Sequence, residues 1–121
     1  MKSERFPWYL AKGQDSFLPI SKFISKTDVI DPHNLKLNLF INNEVRQSDN
    51  TGNMHYKIGE TIEFISKYST LHPGDLILTG TPSGIGPVKL GDKIRANLEQ
   101  NGKVIVEMNY SVIEDNEEPK F

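Results

Sequence analysis

An apolar run that stops in a glycine- and proline-rich cluster constrains this chain more than any other feature. Residues 75 to 87 read Asp-Leu-Ile-Leu-Thr-Gly-Thr-Pro-Ser-Gly-Ile-Gly-Pro. Leu76 to Leu78 predict a buried strand, and the residues from Gly80 to Pro87 predict a tight loop at its end. Three glycines and two prolines fall within those eight residues. Such a loop brings backbone N–H groups and a hydroxyl close to an anionic ligand, because glycine lets the backbone approach. A ligand site is expected here. From spacing alone, a tight bend between strands is an equal alternative.

The remaining elements follow from periodicity and turn chemistry. Asp31-Pro32-His33-Asn34 reads as a turn. Leu35, Leu37, Leu39 and Ile41 recur at period two and predict a strand, and Asn42-Asn43 fits a two-residue hairpin turn before Glu44-Val45-Arg46-Gln47. Ile58, Ile62 and Ile65 lie at helical spacing, with Phe64 and Tyr68 alongside, so residues 58–68 predict an amphipathic helix. Asp92 to Leu98 and Val104 to Val112 predict two further strands, joined by Asn101-Gly102, the strongest hairpin signal in the chain. Phe6 to Ala11 form an aromatic-rich opening, and residues 114–121 an acidic tail expected to fray. The fold class is α+β and β-rich, with mostly antiparallel hairpins and one substantial helix. Too few helices are present for the crossovers of a large parallel sheet.

Composition excludes several functions. With 14 Lys+Arg against 16 Asp+Glu, the formal net charge of −2 leaves no footprint for nucleic acid or an anionic membrane. The chain has no cysteine, which removes disulfides, thiol catalysis and cysteine-based zinc sites. No apolar run approaches the roughly 20 residues of a membrane span. The expectation is a soluble intracellular domain.

The glycine loop matches no phosphate-binding signature. Ile85 stands where a Walker A motif needs its second glycine, and Lys89 where a dinucleotide fingerprint needs its third. Ser83 lacks the glycine two positions back that a nucleophile elbow requires. His33, His55 and His72 pair with no other ligand type at helical or strand spacing and are expected to be structural or exposed. Asp49 to Asn53 read as a solvated polar turn. Lys12, between an aromatic segment and Gly13, is either a fixed cation for a carboxylate or enolate or a solvated surface lysine. Its sequence context favours the second reading.

Together these segments resemble the fumarylacetoacetate hydrolase family, in the C-terminal portion of its catalytic domain. Pro7-Trp8-Tyr9-Leu10-Ala11-Lys12 is similar to the family's Pro-Trp-x-x-Ala-Lys stretch. Asp31 to Leu37 is similar to a stretch of its acylpyruvase-like members, and Asn42 to Gln47 to its Asn-Gly-Glu-x-Arg-Gln hairpin. Gly74 to Pro87 is similar to its most recognisable signature. The resemblance runs colinearly over about residues 6 to 112, nearest to acylpyruvate hydrolase and oxaloacetate decarboxylase members. It implies a mixed β-sheet roll, incomplete at its N-terminal side, with residues 1–121 as one partial domain.

The resemblance also implies chemistry. Members act on short 2-oxo or 2,4-dioxo acids with Mg²⁺ or Mn²⁺, which polarises the 2-oxo group and stabilises an enolate. Lys12 would be the cation near the substrate, and Thr81, with Gly80 beside it, would hold the carboxylate. The family's metal ligands, a Glu-x-Glu pair and an aspartate, lie upstream of its Pro-Trp stretch and have no counterpart in residues 1–121. The same holds for its water-activating His/Glu pair. Three readings follow: the C-terminal part of a metal-dependent hydrolase or decarboxylase, inactive alone; a non-catalytic partner subunit; or a 2-oxo acid binding module. The implied setting is mitochondrial or cytoplasmic, and the implied full-length form is a homodimer.

Overall fold

The computed structural model describes residues 12–114. The aromatic opening, and the tail beyond Glu114, lie outside the described residues. Four strands form one sheet: β1 (Lys36–Ile41), β2 (Glu44–Asn50), β3 (Lys93–Gln100) and β4 (Lys103–Ser111). Their order across the sheet is β2-β1-β3-β4, and all three ladders are antiparallel. Among the described residues, one helix, α1 (Ile58–Ser66), and two short 3₁₀ turns (Lys26–Asp28 and Thr51–Asn53) accompany the sheet. The β-rich α+β class read from the sequence is the observed one.

Turn chemistry builds the two hairpins. Asn42 and Asn43 adopt φ of 53° and 67°, and Asn101 and Gly102 adopt 52° and 74°. Both pairs therefore occupy the left-handed region whose twist matches that of the flanking strands. The central pairing of β1 with β3 joins distant residues, with Asn38 opposite Asn97 and Leu39 opposite Ala96.

Strand alternation separates two faces. Leu37, Leu39, Ala96, Leu98, Val106 and Met108 share one. Asn38, Phe40, Arg95, Asn97 and Glu107 share the other, where the Arg95 guanidinium stacks 3.9 Å from the Phe40 ring centre. Asn38 and Asn97 are each only 7% exposed, whereas Leu37 is 37% exposed. Asn38 donates to Asn97 at 2.9 Å and to Glu99 at 2.8 Å, and accepts from Ser48 at 2.7 Å. These bonds satisfy the buried amide, so the polar row is stable where a lone Asn would not be.

His33 caps α1 by accepting the Ile58 N–H at 3.1 Å through Nε2, while Glu60 accepts the Lys57 N–H at 2.7 Å. The helix ends at Ser66, two residues short of the range read from periodicity. Asp49 and Asn50 belong to β2 rather than to a solvated turn. Asp49 sits opposite Leu37 in the ladder, which the polar composition of the segment concealed.

The expected strand at Leu76 to Leu78 does not form. Residues 76–88 make no backbone–backbone hydrogen bond among the described residues. Leu76 is 67% and Leu78 72% exposed. The run has strand-like composition, but a strand exists only when paired, and no described strand lies beside it. The expectation of a loop after it is met: residues 79–88 are irregular.

Candidate functional site

The loop from Thr79 to Pro87 lies against β2. It has no internal backbone hydrogen bond, so side chains hold it. Gln47 donates from Nε2 to the Pro82 carbonyl at 2.7 Å and to the Thr81 hydroxyl oxygen at 3.1 Å. Arg46 donates from Nη2 to the Pro87 carbonyl at 3.2 Å.

Glycine is required here for two different reasons. Gly80 has φ of +100°, yet a Cβ built on it meets nothing within 4 Å. It is needed for its backbone conformation, and the space above it is open. Gly84, at φ of +103°, lies directly on β2, where a Cβ would collide with the Arg46 carbonyl oxygen.

Thr81 is exposed and stands between two cavities. The first, of about 350 Å³, opens over the apolar sheet face between Leu39, Ala96, Leu98, Val106 and Met108. Its polar side chains near the loop are Ser21, Gln47 and Thr81, and among the described residues no ionised side chain lines it. The second, of about 390 Å³, lies beside Asp49, His55, Tyr56 and Thr61 and shares Leu37 and Gly80 to Pro82 with the first. The Asn53 side-chain amide, and then the Asn50 N–H, hold the Asp49 carboxyl below the usual carboxylate range. Asp49 is therefore anionic at neutral pH, which disfavours an anionic ligand in the second cavity.

Gly80 and Thr81, both expected at the site, are brought together on the loop. Lys12 is exposed and lines neither cavity. His33 is a helix cap, as a structural histidine was expected to be. Among the described residues no three His, Asp or Glu side chains converge on one point. Residues 12–114 therefore do not fit a divalent ion, and no chemical step is assigned to one here. Arg46 and Gln47 were quoted in the hairpin resemblance, but nothing local in the sequence showed that they grip a loop more than 30 residues away.

A β-rich domain whose hairpin clamps a Gly-Thr-Pro loop over a sheet face is the class of structure these observations define. The chain belongs to the fumarylacetoacetate hydrolase family: the family's C-terminal domain profile matches residues 1–109. It is 50% identical over 97 residues to the mitochondrial oxaloacetate tautomerase FAHD1 of Arabidopsis thaliana, covering 80% of this chain and 44% of that protein. A yeast fumarylacetoacetate hydrolase family structure superimposes with a TM-score of 0.88 at 34% identity, over 98% of this chain and 51% of the yeast one. The maleylpyruvate hydrolase of Sphingobium sp. SYK-6, solved with manganese(II) and pyruvate, matches with a TM-score of 0.69 at 40% identity, over 74% of this chain and 33% of its own. The tautomerase and the maleylpyruvate hydrolase among these relatives are enzymes. The chain spans under half the length of the first curated relatives it matches.

Proposed function

We propose that this chain supplies the acid-binding wall of a metal-dependent enzyme acting on acylpyruvate or other short 2-oxo acids. The observation that carries the proposal is the exposed Thr81 hydroxyl on a clamped loop, beside a cavity that no described acidic side chain lines. Thr81, with the loop N–H groups next to Gly80, holds the substrate carboxylate on the first-cavity side. The open space above Gly80 lets a planar acid approach the backbone. Lys12 is proposed as the cation for the carboxylate or developing enolate on the family resemblance alone, since it lines neither cavity here. The maleylpyruvate hydrolase complex, which holds a metal and pyruvate, supports the substrate class.

The reaction catalysed by the whole domain is hydrolysis or decarboxylation through a stabilised enolate. Bond cleavage leaves an electron pair on carbon, and a polarised 2-oxo group delocalises it. In the family a divalent ion, Mg²⁺ or Mn²⁺, would supply that polarisation; residues 12–114 offer no ligand set for it. The isolated chain is accordingly proposed to bind acids without turning them over. The full-length form is proposed to be a homodimer, in the mitochondrion or cytoplasm. Among the described residues, no helix is long and apolar enough to cross a membrane.

A second reading, a partner subunit, is favoured by Leu76 and Leu78, which are exposed and pair with no described strand. Pairing with a full-length relative would cover them. Titration of the purified chain with pyruvate, followed by amide shifts, tests the first reading. Co-purification with a full-length relative tests the second.

A further inference from the structure

Every hydrogen bond that residues 76–88 make with the rest of the described chain involves Arg46 or Gln47. Consecutive residues of a regular strand point to opposite faces, so two neighbours should not reach one loop. Here they do, because β2 is bulged. Leu39 pairs with Gln47 and Phe40 with Val45, which leaves Arg46 as the extra residue. A bulge re-aims side chains and locally increases strand twist. It lets Gln47 grip the first half of the loop, at Thr81 and Pro82, and Arg46 the second half, at Pro87.

We propose that the bulge in β2 is the positioning device of the site, with Gln47 the residue that sets the Thr81 hydroxyl. The chemistry of the amide explains the choice of Gln. Its Nε2 donates to Thr81 Oγ1, and a hydroxyl that accepts there keeps its own proton for another partner. That proton is free to turn toward a carboxylate instead of its alternative acceptor, Gln47 Oε1 at 3.3 Å. The Thr81 half of this inference rests on the acid-binding reading above, whereas the clamp itself does not. Arg46 and Gln47 are positioning residues, and they are not assigned contact with substrate.

Backbone ¹⁵N relaxation of the full 121-residue chain tests the clamp without a ligand. In the unmodified chain, order parameters of residues 80–87 are expected near the rigid value of about 0.85. Gln47→Ala is expected to lower those of residues 80–83 below about 0.6, with the four strands unchanged. Arg46→Ala is expected to loosen residues 84–88 instead, and Arg46→Lys, which keeps a donor, to restore them. Pyruvate titration supplies the second readout: Gln47→Ala and Gln47→Glu are expected to weaken binding by about tenfold or more. A loop already mobile in the unmodified chain, or unaffected by Gln47→Ala, overturns the clamp. So does loss of order throughout the sheet, since Gln47 would then be merely structural. A loop that loosens as expected in a chain that binds no pyruvate leaves the clamp standing and overturns the acid-binding reading. Binding that is unchanged in both Gln47 variants overturns the Thr81 half of the inference.

Discussion

The Gln47 side-chain amide reaches across to the Pro82 carbonyl at 2.7 Å, and so joins a strand of the sheet to a loop that no backbone hydrogen bond supports among the described residues. The strand is rigid because it is laddered on β1. The loop is placed because two neighbours on that strand, Arg46 and Gln47, grip it. The expected behaviour of variants follows from which groups make this contact and which merely lie near it.

The two loop glycines are expected to differ. Gly80→Ala meets no neighbour and faces only the cost of a left-handed backbone, roughly 1–2 kcal/mol. Gly84→Ala adds a collision with the Arg46 carbonyl, a backbone atom that cannot swing aside. It is expected to cost about 3 kcal/mol or to lift the loop off β2. Urea unfolding together with the amide shifts of residues 80–87 separates the two cases.

The polar row of the sheet is expected to be stabilising. Asn38→Ala removes the partner of Ser48 and Asn97 at a position only 7% exposed. The unpaired groups left behind are expected to cost about 1–3 kcal/mol, measured by denaturant unfolding.

The exposed leucines are expected to be dispensable for stability. Leu76→Ser and Leu78→Ser change side chains that are 67% and 72% exposed, and each is expected to shift stability by less than about 0.5 kcal/mol. Both are expected to raise solubility by shrinking an apolar patch. Leu35→Ala, at 6% exposure, is expected to cost about 2–4 kcal/mol in the same assay.

Two carboxylates make the domain sensitive to acid. The Lys89 N–H, and then the Asn42 amide, hold Asp92 below the usual range, as Asn53 and Asn50 hold Asp49. A carboxyl depressed in the folded state contributes stability above its unfolded pKa, about 3.9, and loses it as pH falls through the folded value. Stability is therefore expected to be level from neutral pH to about 5 and to fall below about 4. Asp92→Asn is expected to be less stable at neutral pH and to show a shallower acid limb in thermal melts.

Much of the fold was legible because its determinants are local. Asn42-Asn43 and Asn101-Gly102 specify their hairpins within a few residues, and Ile58, Ile62 and Ile65 declare the helix by spacing alone. The misreadings share one cause, which is that pairing and contact are not local. Leu76 to Leu78 carry strand composition, but a strand needs a partner that composition cannot supply. Asn38 alternates with the leucines of β1 and is more buried than Leu37, in a row of hydrogen bonds with β2 and β3. At the site, the loop that holds Gly80 and Thr81 stood out through glycine and proline chemistry, and the family resemblance singled out Thr81 within it. Gln47 did not, since a lone Gln at the end of an ordinary hairpin gives no sign of the loop it will hold.

Pyruvate titration of the ¹⁵N-labelled chain, with and without Thr81→Ala, bears most directly on the acid-binding wall. Saturable shifts are expected at Gly80, Thr81, Ala96 and Met108, on the first-cavity side, with His55 and Thr61 still. Thr81→Ala is expected to weaken them by about tenfold, the loss of one hydrogen bond to a charged group. Shifts confined to the Asp49 side, or an affinity that ignores Thr81→Ala, would contradict that assignment.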